Sequence, residues 1–203
     1  MDRTLQERGL VSLELSSPVW ERFFLVAPLA VVGTVEPDGS PDLAPKHMVT
    51  PLGWGNHVGF VCAPAHATYR NAVRTGEFTL TFPRPEAVLT ASLSAAPRCD
   101  GREKPSLDLL ETFPARAVSA PLAEGGYLYL ECALHGTWDD FGENSLVAGR
   151  IVAAHVSQEG VRRPDVDDAE LLAREPLLAY VAPGRYATVA RADAFPVHRG
   201  TRR

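Results

Sequence analysis

The feature that most constrains the fold is a strong turn signal placed directly after an apolar, β-branched segment. The segment Leu29–Glu36 reads LAVVGTVE, a composition typical of a β-strand. The next four residues read PDGS, in which proline presets one backbone dihedral angle and glycine supplies a positive one. The chain is therefore expected to reverse at once, so that Pro41 begins the second arm of a hairpin.

The other strand signals come in runs and do not alternate regularly with helices. This order disfavours a doubly wound parallel sheet. An antiparallel sheet closed into a small barrel fits better, because closure removes exposed strand edges. Strands are predicted near residues 48–52, 57–63, 78–82, 127–138, 144–157 and 186–190. Helices are predicted from Ser17-Pro18 onward, with Val19, Trp20, Phe23 and Phe24 as a packing face, at 68–75, 86–94 and 106–111, and after Asp167.

Bulk properties exclude several classes of function. The net charge of −5 argues against a nucleic-acid partner, because phosphate binding needs a concentrated basic surface. The N-terminus lacks the apolar core of a signal peptide, and no apolar run is long enough to span a bilayer. The three cysteines, Cys62, Cys99 and Cys132, show no metal or redox spacing. We therefore expect a cytoplasmic protein that binds neither nucleic acid nor membrane.

Motifs for common chemistries are absent from the sequence. There is no dinucleotide fingerprint, phosphate-binding loop or nucleophile elbow, and the six histidines include no i, i+4 pair. We accordingly predict no metal ligands and no catalytic acid, base or nucleophile. A site assembled from residues far apart in sequence stays open at this stage.

Residues 41–71 carry the best candidate for a binding site. Small residues near Ala44 and Ala63 would let a flat ligand approach the backbone, and amides at a helix N-terminus are good donors to a phosphate. Thr68 and Asn71 could donate as well, while Lys46 and His66 could add positive charge. Residue types alone, however, favour an ordinary strand–helix junction in which Thr68 is a cap.

Five short motifs, taken in order, raise the odds of a binding site. They are Asp42–His47 (DLAPKH), the strand end Phe60–Pro64 (FVCAP), the helix start His66–Asn71 (HATYRN), Lys104 after an irregular middle segment, and the closing pieces Gly149–Val156 and Gly184–Tyr186. In this order the chain resembles the flavin reductase-like family of FMN-binding split barrels, from about Pro28 to Tyr186. That family has Asn-x-Ala-Pro-x-Ser at the first motif and Lys-Asp-Thr-x-x-Asn at the third.

The resemblance implies a fold and a function. The fold is mainly β, an antiparallel split β-barrel of Greek-key type with a few short helices, binding FMN. Residues 1–27 would be an arm or helix, 28–190 the barrel and 191–203 a tail. The implied function is an NAD(P)H-dependent flavin reductase with NADH or NADPH as electron donor. It would be a homodimer with the flavin near the interface and would act on a small-molecule substrate.

Three other functions stay open beside the reductase. The first is an FMN-binding electron carrier of the flavoredoxin type, which never meets a nicotinamide. The second is a flavoprotein like pyridoxamine-phosphate oxidase, acting on another substrate. The third is a barrel that has lost its cofactor.

The resemblance also assigns site residues. Those implied to bind the cofactor are Leu43, Ala44, Pro45, Lys46, His47, Met48, Cys62, Ala63, Pro64, His66, Thr68, Asn71 and Lys104. The substrate side of the flavin would have His155 and Tyr186.

Three positions depart from the family pattern. Asp42 replaces the usual Asn, His47 replaces Ser, and His66 replaces Lys. A carboxylate beside a phosphate or an anionic flavin is unfavourable unless it turns away.

Overall fold

The predicted hairpin is the starting point of the main sheet. A computed structural model describes residues 3–99 and 103–196. Gly39 has a φ of 89°, and the Glu36 amide donates to the Ser40 carbonyl at 2.8 Å. Strands β2 (Ala30–Val35) and β3 (Pro41–Lys46) pair antiparallel with Val35 opposite Pro41, which confirms the turn.

The remaining elements follow mostly at the predicted places. The other strands are β1 (Leu25–Pro28), β4 (Val49–Pro51), β5 (His57–Cys62), β6 (Glu77–Pro83), β7 (Thr112–Phe113), β8 (Leu122–Ala123), β9 (Gly126–Phe141), β10 (Asn144–Val156), β11 (Leu177–Ala182) and β12 (Arg185–Val189). The α-helices are α1 (Arg3–Glu7), α2 (Ala67–Thr75), α3 (Val88–Leu93) and α4 (Asp168–Arg174). Short 3-10 helices lie at Val19–Glu21, Pro85–Ala87 and Pro105–Leu109.

The main sheet has seven strands in the order β3-β2-β6-β9-β10-β5-β4, all antiparallel. Its two edge strands, β3 and β4, are joined by only His47 and Met48. Six strand spacings would put the edges of a flat sheet about 29 Å apart, whereas three Cα steps reach about 11 Å. The sheet must curl until its edges approach, which makes it an antiparallel split barrel, as predicted.

The barrel interior holds the larger of two apolar clusters. Phe60 and Phe78 are fully buried there, with ring centroids 5.1 Å apart in an edge-to-face contact. A second cluster lies outside the barrel wall, where Leu43 packs with Ala91 of α3 and Leu178 of β11. Residues of β3 therefore help to hold α3 and β11 against the barrel.

A second sheet of three strands, β1-β11-β12, was only partly predicted. Strand β12 was expected, whereas β1 and β11 were not. Strand β1 has only four residues and ends in a proline, and β11 (LLAYVA) shows no alternation of apolar and polar residues. Their pairing, with Pro28 opposite Ala179, joins segments about 150 residues apart in sequence, and local patterns carry no signal for it.

The packing helix predicted after Ser17-Pro18 is wrong. The chain forms one 3-10 turn there, and Trp20 and Phe24 are 57% and 65% exposed. Three residues are too few for an apolar face, and among the described residues these rings meet only an edge contact between Trp20 and Phe23 and the guanidinium of Arg185 over Phe24. The helix predicted at 106–111 is also a 3-10 helix.

Two helix termini follow the predicted chemistry. Gly76 ends α2 in the left-handed conformation, and its amide donates to Ala72. Asp167 caps α4 by accepting from the amides of Ala169 and Glu170.

Among the described residues, no helix is long and apolar enough to cross a membrane. The arm and tail boundaries at 28 and 190 stay predictions, and residues 197–203 of the tail lie outside the described residues.

The close contact of Gly33 in β2 with Pro121 and Thr79 can be tested by substitution. A Cβ at Gly33 would collide with the backbone oxygen of Pro121 and the hydroxyl of Thr79. We expect Gly33→Ala to lower the free energy of unfolding by about 2–3 kcal/mol, the cost of forcing atoms into a packed region. Urea denaturation measures this. The control is Gly55→Ala, where the nearest atom, in His57, is 3.5 Å away; equal stability of both variants would contradict the packing.

Candidate functional site

The backbone N–H and C=O groups of alternate residues in strand β3 point in opposite directions. Backbone hydrogen bonds alternate along an antiparallel pair, and Glu36 bonds Ser40 just before the hairpin turn. Counting from that pair, residues 42, 44 and 46 bond to β2, whereas residues 41, 43 and 45 face the open edge. Two of those three outward residues are prolines, which offer no N–H to another strand.

This alternation limits which amides a ligand can reach. The amides of Ala44 and Lys46 are used in the sheet, and Pro45 has none. The amides past the end of β3 are those of His47 and Met48, at the seam between the two sheet edges. If a flat ligand binds along 44–48, as the resemblance implies, its backbone contacts would therefore be made mainly by these two residues.

Lys104 lies against the open edge of β3. Its Nζ donates to the carbonyls of Leu43 (2.7 Å) and Ser94 (2.5 Å). Burial lowers the pKa of Lys104 from its ordinary value. An ammonium has three N–H groups, so one remains for a ligand. The main role of Lys104 is to tie the irregular middle segment to β3.

Asp42 turns into the protein, away from the candidate surface. Its side chain is 2% exposed, and Oδ2 accepts from the hydroxyls of Thr34 (3.3 Å) and Thr68 (3.2 Å). Its Oδ1 accepts from Arg98 Nη2 at 2.6 Å, and Arg98 also pairs with Glu36. The carboxylate is thus paired with Arg98 inside the protein and does not face an anion at the surface.

This inward network uses two side chains that were candidates for binding phosphate. Thr68 has one hydroxyl proton, which it donates to Asp42, so its backbone N–H is the group it can offer to an anion. The Asn71 side chain is buried, and its Nδ2 donates to Thr34 Oγ1 at 3.4 Å. Both side chains dock α2 onto the sheet.

The N-terminus of α2 has the features in this region that best suit an anion. His66 stands at the cap position and makes no side-chain cap hydrogen bond. The first amides of a helix have no acceptor within the helix, and they carry partial positive charge. Burial and then the charges of Lys46 and Arg70 lower the pKa of His66, which places three basic groups around this turn. An anionic group is favoured here.

The strand end at Cys62 leads into this turn. Cys62 is buried, its Sγ lies 3.9 Å from His66 Nδ1, and burial raises its pKa. The thiol is therefore protonated near neutral pH, which fits a small buried side chain rather than a reactive thiolate. Ala63 and Pro64 follow in a turn closed by the His66 amide donating to Ala63 at 2.9 Å.

Two cavities lie at opposite ends of β3. The polar cavity, of about 590 Å³, borders the first turn of α2 and contains both acidic and basic side chains. It is lined in part by Glu36, Asp38, Arg70, Arg98 and Lys104. The apolar cavity, of about 470 Å³, lies between α3, β3 and the β11–β12 hairpin. It is lined in part by Pro45, His47, Ser92, Tyr180, Arg185 and Tyr186.

The two residues expected on the substrate side lie in different places. Tyr186 lines the apolar cavity beside His47. His155 lines neither of the two cavities, and its Nε2 lies 2.8 Å from Oε1 of the buried Glu131. Glu131 also accepts from the amides of Arg116 and Ala117, so this pair anchors a loop to the barrel wall.

Sequence reasoning missed Arg98 and Tyr180. Arg98 lies in an irregular segment and meets Asp42 across 56 residues of sequence, so no local pattern marks it. Tyr180 lies on the unpredicted strand β11, with its ring centroid 4.6 Å from that of His47.

Comparisons with known proteins agree with this fold. A family model described as a flavin reductase like domain matches residues 22–189. An uncharacterized protein of Methanothermobacter thermautotrophicus is 29% identical over 157 residues, which cover 74% of this chain and 73% of that protein.

Solved structures agree as well. A structure from Shewanella frigidimarina described as a flavin reductase with a split barrel domain has a TM-score of 0.77 at 19% identity, covering 92% of this chain and 95% of that one. The flavoredoxin of Desulfovibrio vulgaris has a TM-score of 0.74 at 19% identity, covering 94% and 100%. At such identities the likeness shows the fold alone.

The Asp42 network generates a stability prediction. Asp42→Ala leaves Arg98 without one of its acidic partners and two hydroxyls without an acceptor. We expect a loss of about 3 kcal/mol in the free energy of unfolding, the scale of a broken buried ion pair. Asp42→Asn keeps an acceptor oxygen and should lose less than half as much.

Chemical denaturation of both variants tests this, with Asp108→Ala as the control. Asp108 is an exposed aspartate that lines the polar cavity. If Asp42→Ala is no less stable than Asp108→Ala, the hydrogen bonds and ion pair of Asp42 do not contribute to the free energy of unfolding as expected.

Proposed function

The chain belongs to the flavin reductase-like family, and on that premise we propose that it binds FMN and reduces it with NADH or NADPH. The observation that carries the proposal is the uncapped N-terminus of α2, with Lys46 and His66 beside it. This is the part of the chain where a phosphate ester would be held most strongly.

The residues around this turn fit FMN. The phosphate would accept from the amides of the first turn of α2, including that of Thr68, and would lie near Lys46 and His66. The ribityl chain would pass Cys62–Pro64, where the side chains are small. The isoalloxazine ring would lie along the seam at His47 and Met48. The inward carboxylate of Asp42 supports this placement, because no unpaired negative charge of that residue faces the phosphate.

Bound FMN supplies hydride acceptance from a nicotinamide and onward electron transfer. The residues of the chain hold the ring in position and exclude water. Donors at the seam would favour negative charge on the ring. None of them acts as a general acid or base in this proposal, which agrees with the absence of catalytic motifs in the sequence.

We further propose that the protein is a symmetric homodimer with the flavin near the interface. The support is a group of exposed apolar side chains at and just after the 3-10 turn. It consists of Trp20, Phe23 and Phe24, each of which is at least 41% exposed. An exposed apolar surface of this kind marks an interaction site, and a two-fold dimer is the commonest way to bury one.

We also propose that the protein acts in the cytoplasm.

The reductase function is tested by visible absorption of the FMN-loaded protein without oxygen. We expect NADH or NADPH to bleach the oxidised flavin spectrum, because hydride transfer reduces the flavin and the absorption of the oxidised form is lost. Free FMN with the same nicotinamide is the control for uncatalysed reduction. A bound flavin that dithionite bleaches but neither nicotinamide does would contradict the reductase and favour the electron carrier.

The placement of the phosphate is tested by His66→Lys. Because the pKa of His66 lies below its ordinary value of 6.5, the imidazole is neutral at pH 8, whereas lysine is charged. We expect the variant to bind FMN about fivefold more tightly at pH 8, the scale of one partly exposed charge pair. The gain should shrink as the pH falls and His66 takes up its proton.

Flavin fluorescence titration measures these affinities at each pH. The control is His57→Lys, which adds the same charge at the start of β5, away from α2. An equal gain in both variants, or no gain in His66→Lys, would remove His66 from the phosphate site.

A further inference from the structure

The apolar cavity has the character of a small-molecule site, and its role is not explained by FMN binding alone. Its volume of about 470 Å³ lies within the range of ligand pockets. One wall is formed by Ala91 and Ser92 of α3 and by Ala95 just after its end, whose small side chains leave room. Opposite them stand the aromatic side chains of β11 and β12.

Two aromatic side chains in mutual contact make one wall of the cavity suited to a planar ligand. The rings of His47 and Tyr180 lie 4.6 Å apart in a tilted contact, with an interplanar angle of 31°. The hydroxyl oxygen of Tyr180 accepts from the Gly184 amide at 2.9 Å, so its ring is held from two sides. Tyr186 stands at the rim and is 57% exposed. A planar ring entering here would meet aromatic faces that are already ordered.

The charge in the cavity has one sign. Among the described residues that line it, Arg185 is the one with a permanent charge, and none is acidic. The guanidinium lies over the Phe24 ring, 5.9 Å from its centre, and Phe24 does not line the cavity, so the exposed Arg185 side chain has to swing away from Phe24 to meet a ligand there. No ion pair between Arg185 and a carboxylate is seen in the described parts of the chain. An arginine fork matches a carboxylate or sulfonate.

We propose that this cavity binds a planar aromatic anion, with its ring against His47 and Tyr180 and its anionic group on Arg185. The proposal rests on the proposed function in one respect. Pro45 and His47 belong both to this cavity and to the strand end where the flavin ring is placed, so the ligand would lie beside the flavin as a second substrate. Binding itself requires neither turnover nor a nicotinamide.

The test is calorimetric titration of the FMN-loaded protein with 2-naphthoate and with its neutral isostere 2-naphthamide. We expect naphthoate to bind at least tenfold more tightly than naphthamide. Arg185→Gln should weaken naphthoate about tenfold, as expected for loss of a charged hydrogen bond, and leave naphthamide unchanged. Arg191→Gln, outside the cavity, is the matched control and should bind as the wild type does.

A second variant blocks the cavity itself, so that a change elsewhere in the protein caused by Arg185→Gln cannot account for the result. Ser92 is exposed on α3, so Ser92→Phe should fill the slot without disturbing the core, and an unchanged thermal midpoint checks this. We expect it to abolish naphthoate binding. Equal affinity for the two probes, or undiminished binding in Ser92→Phe or Arg185→Gln, would overturn the proposal.

Titration of the flavin-free protein separates this proposal from the reductase function. Naphthoate binding that persists with and without FMN supports a distinct site, even if no nicotinamide bleaches the flavin. Binding that FMN abolishes would assign the cavity to the flavin ring and overturn the proposal. Failure of both forms to bind naphthoate would overturn it too, while leaving nicotinamide-dependent bleaching as an independent result.

Discussion

The two-residue link between β3 and β4 is the constraint on which the rest of the structure depends. It joins opposite edges of a seven-stranded sheet, and a chain of that length can do so only if the sheet curls. Curling creates the apolar interior around Phe60 and Phe78. It also brings the ends of β3 and β5 together at one seam, so that backbone amides, small residues and the first turn of α2 meet there. Barrel closure and the candidate site are therefore consequences of the same connection.

Docking of α2 shows how the same residues divide between structure and binding. The helix faces the sheet with Thr68 and Asn71, whose side chains satisfy Asp42 and Thr34. A buried carboxylate needs such partners, because its desolvation is costly. With these side chains turned inward, recognition of an anion falls to the backbone amides and to the nearby cations. The departure from Asn to Asp at position 42 is thus compensated inside the protein, by Arg98, rather than at the ligand.

The parts of the structure that the sequence predicted are those with local signals. The hairpin at Gly39, the helix that ends at Gly76 and the cap at Asp167 each depend on a few adjacent residues, and each was placed within one or two residues. The pairing of β1 with β11 and the bond between Arg98 and Asp42 depend on contacts across long stretches of chain. The motifs located the candidate site, but they could not show which of its polar groups face inward, since that depends on partners distant in sequence.

The two ends of β3 differ in chemistry, and this difference bears on how a two-substrate protein could be organised on one strand. Pro41 borders a cavity with charges of both signs beside the helix N-terminus, whereas Pro45 borders an apolar slot with a single cation. Lys104 lies between them, bonded to the carbonyl of Leu43. Two ligands of different polarity can therefore be held at the two ends of one strand. The prolines serve this arrangement, because an edge with missing N–H groups does not pair with another strand and stays open to a ligand.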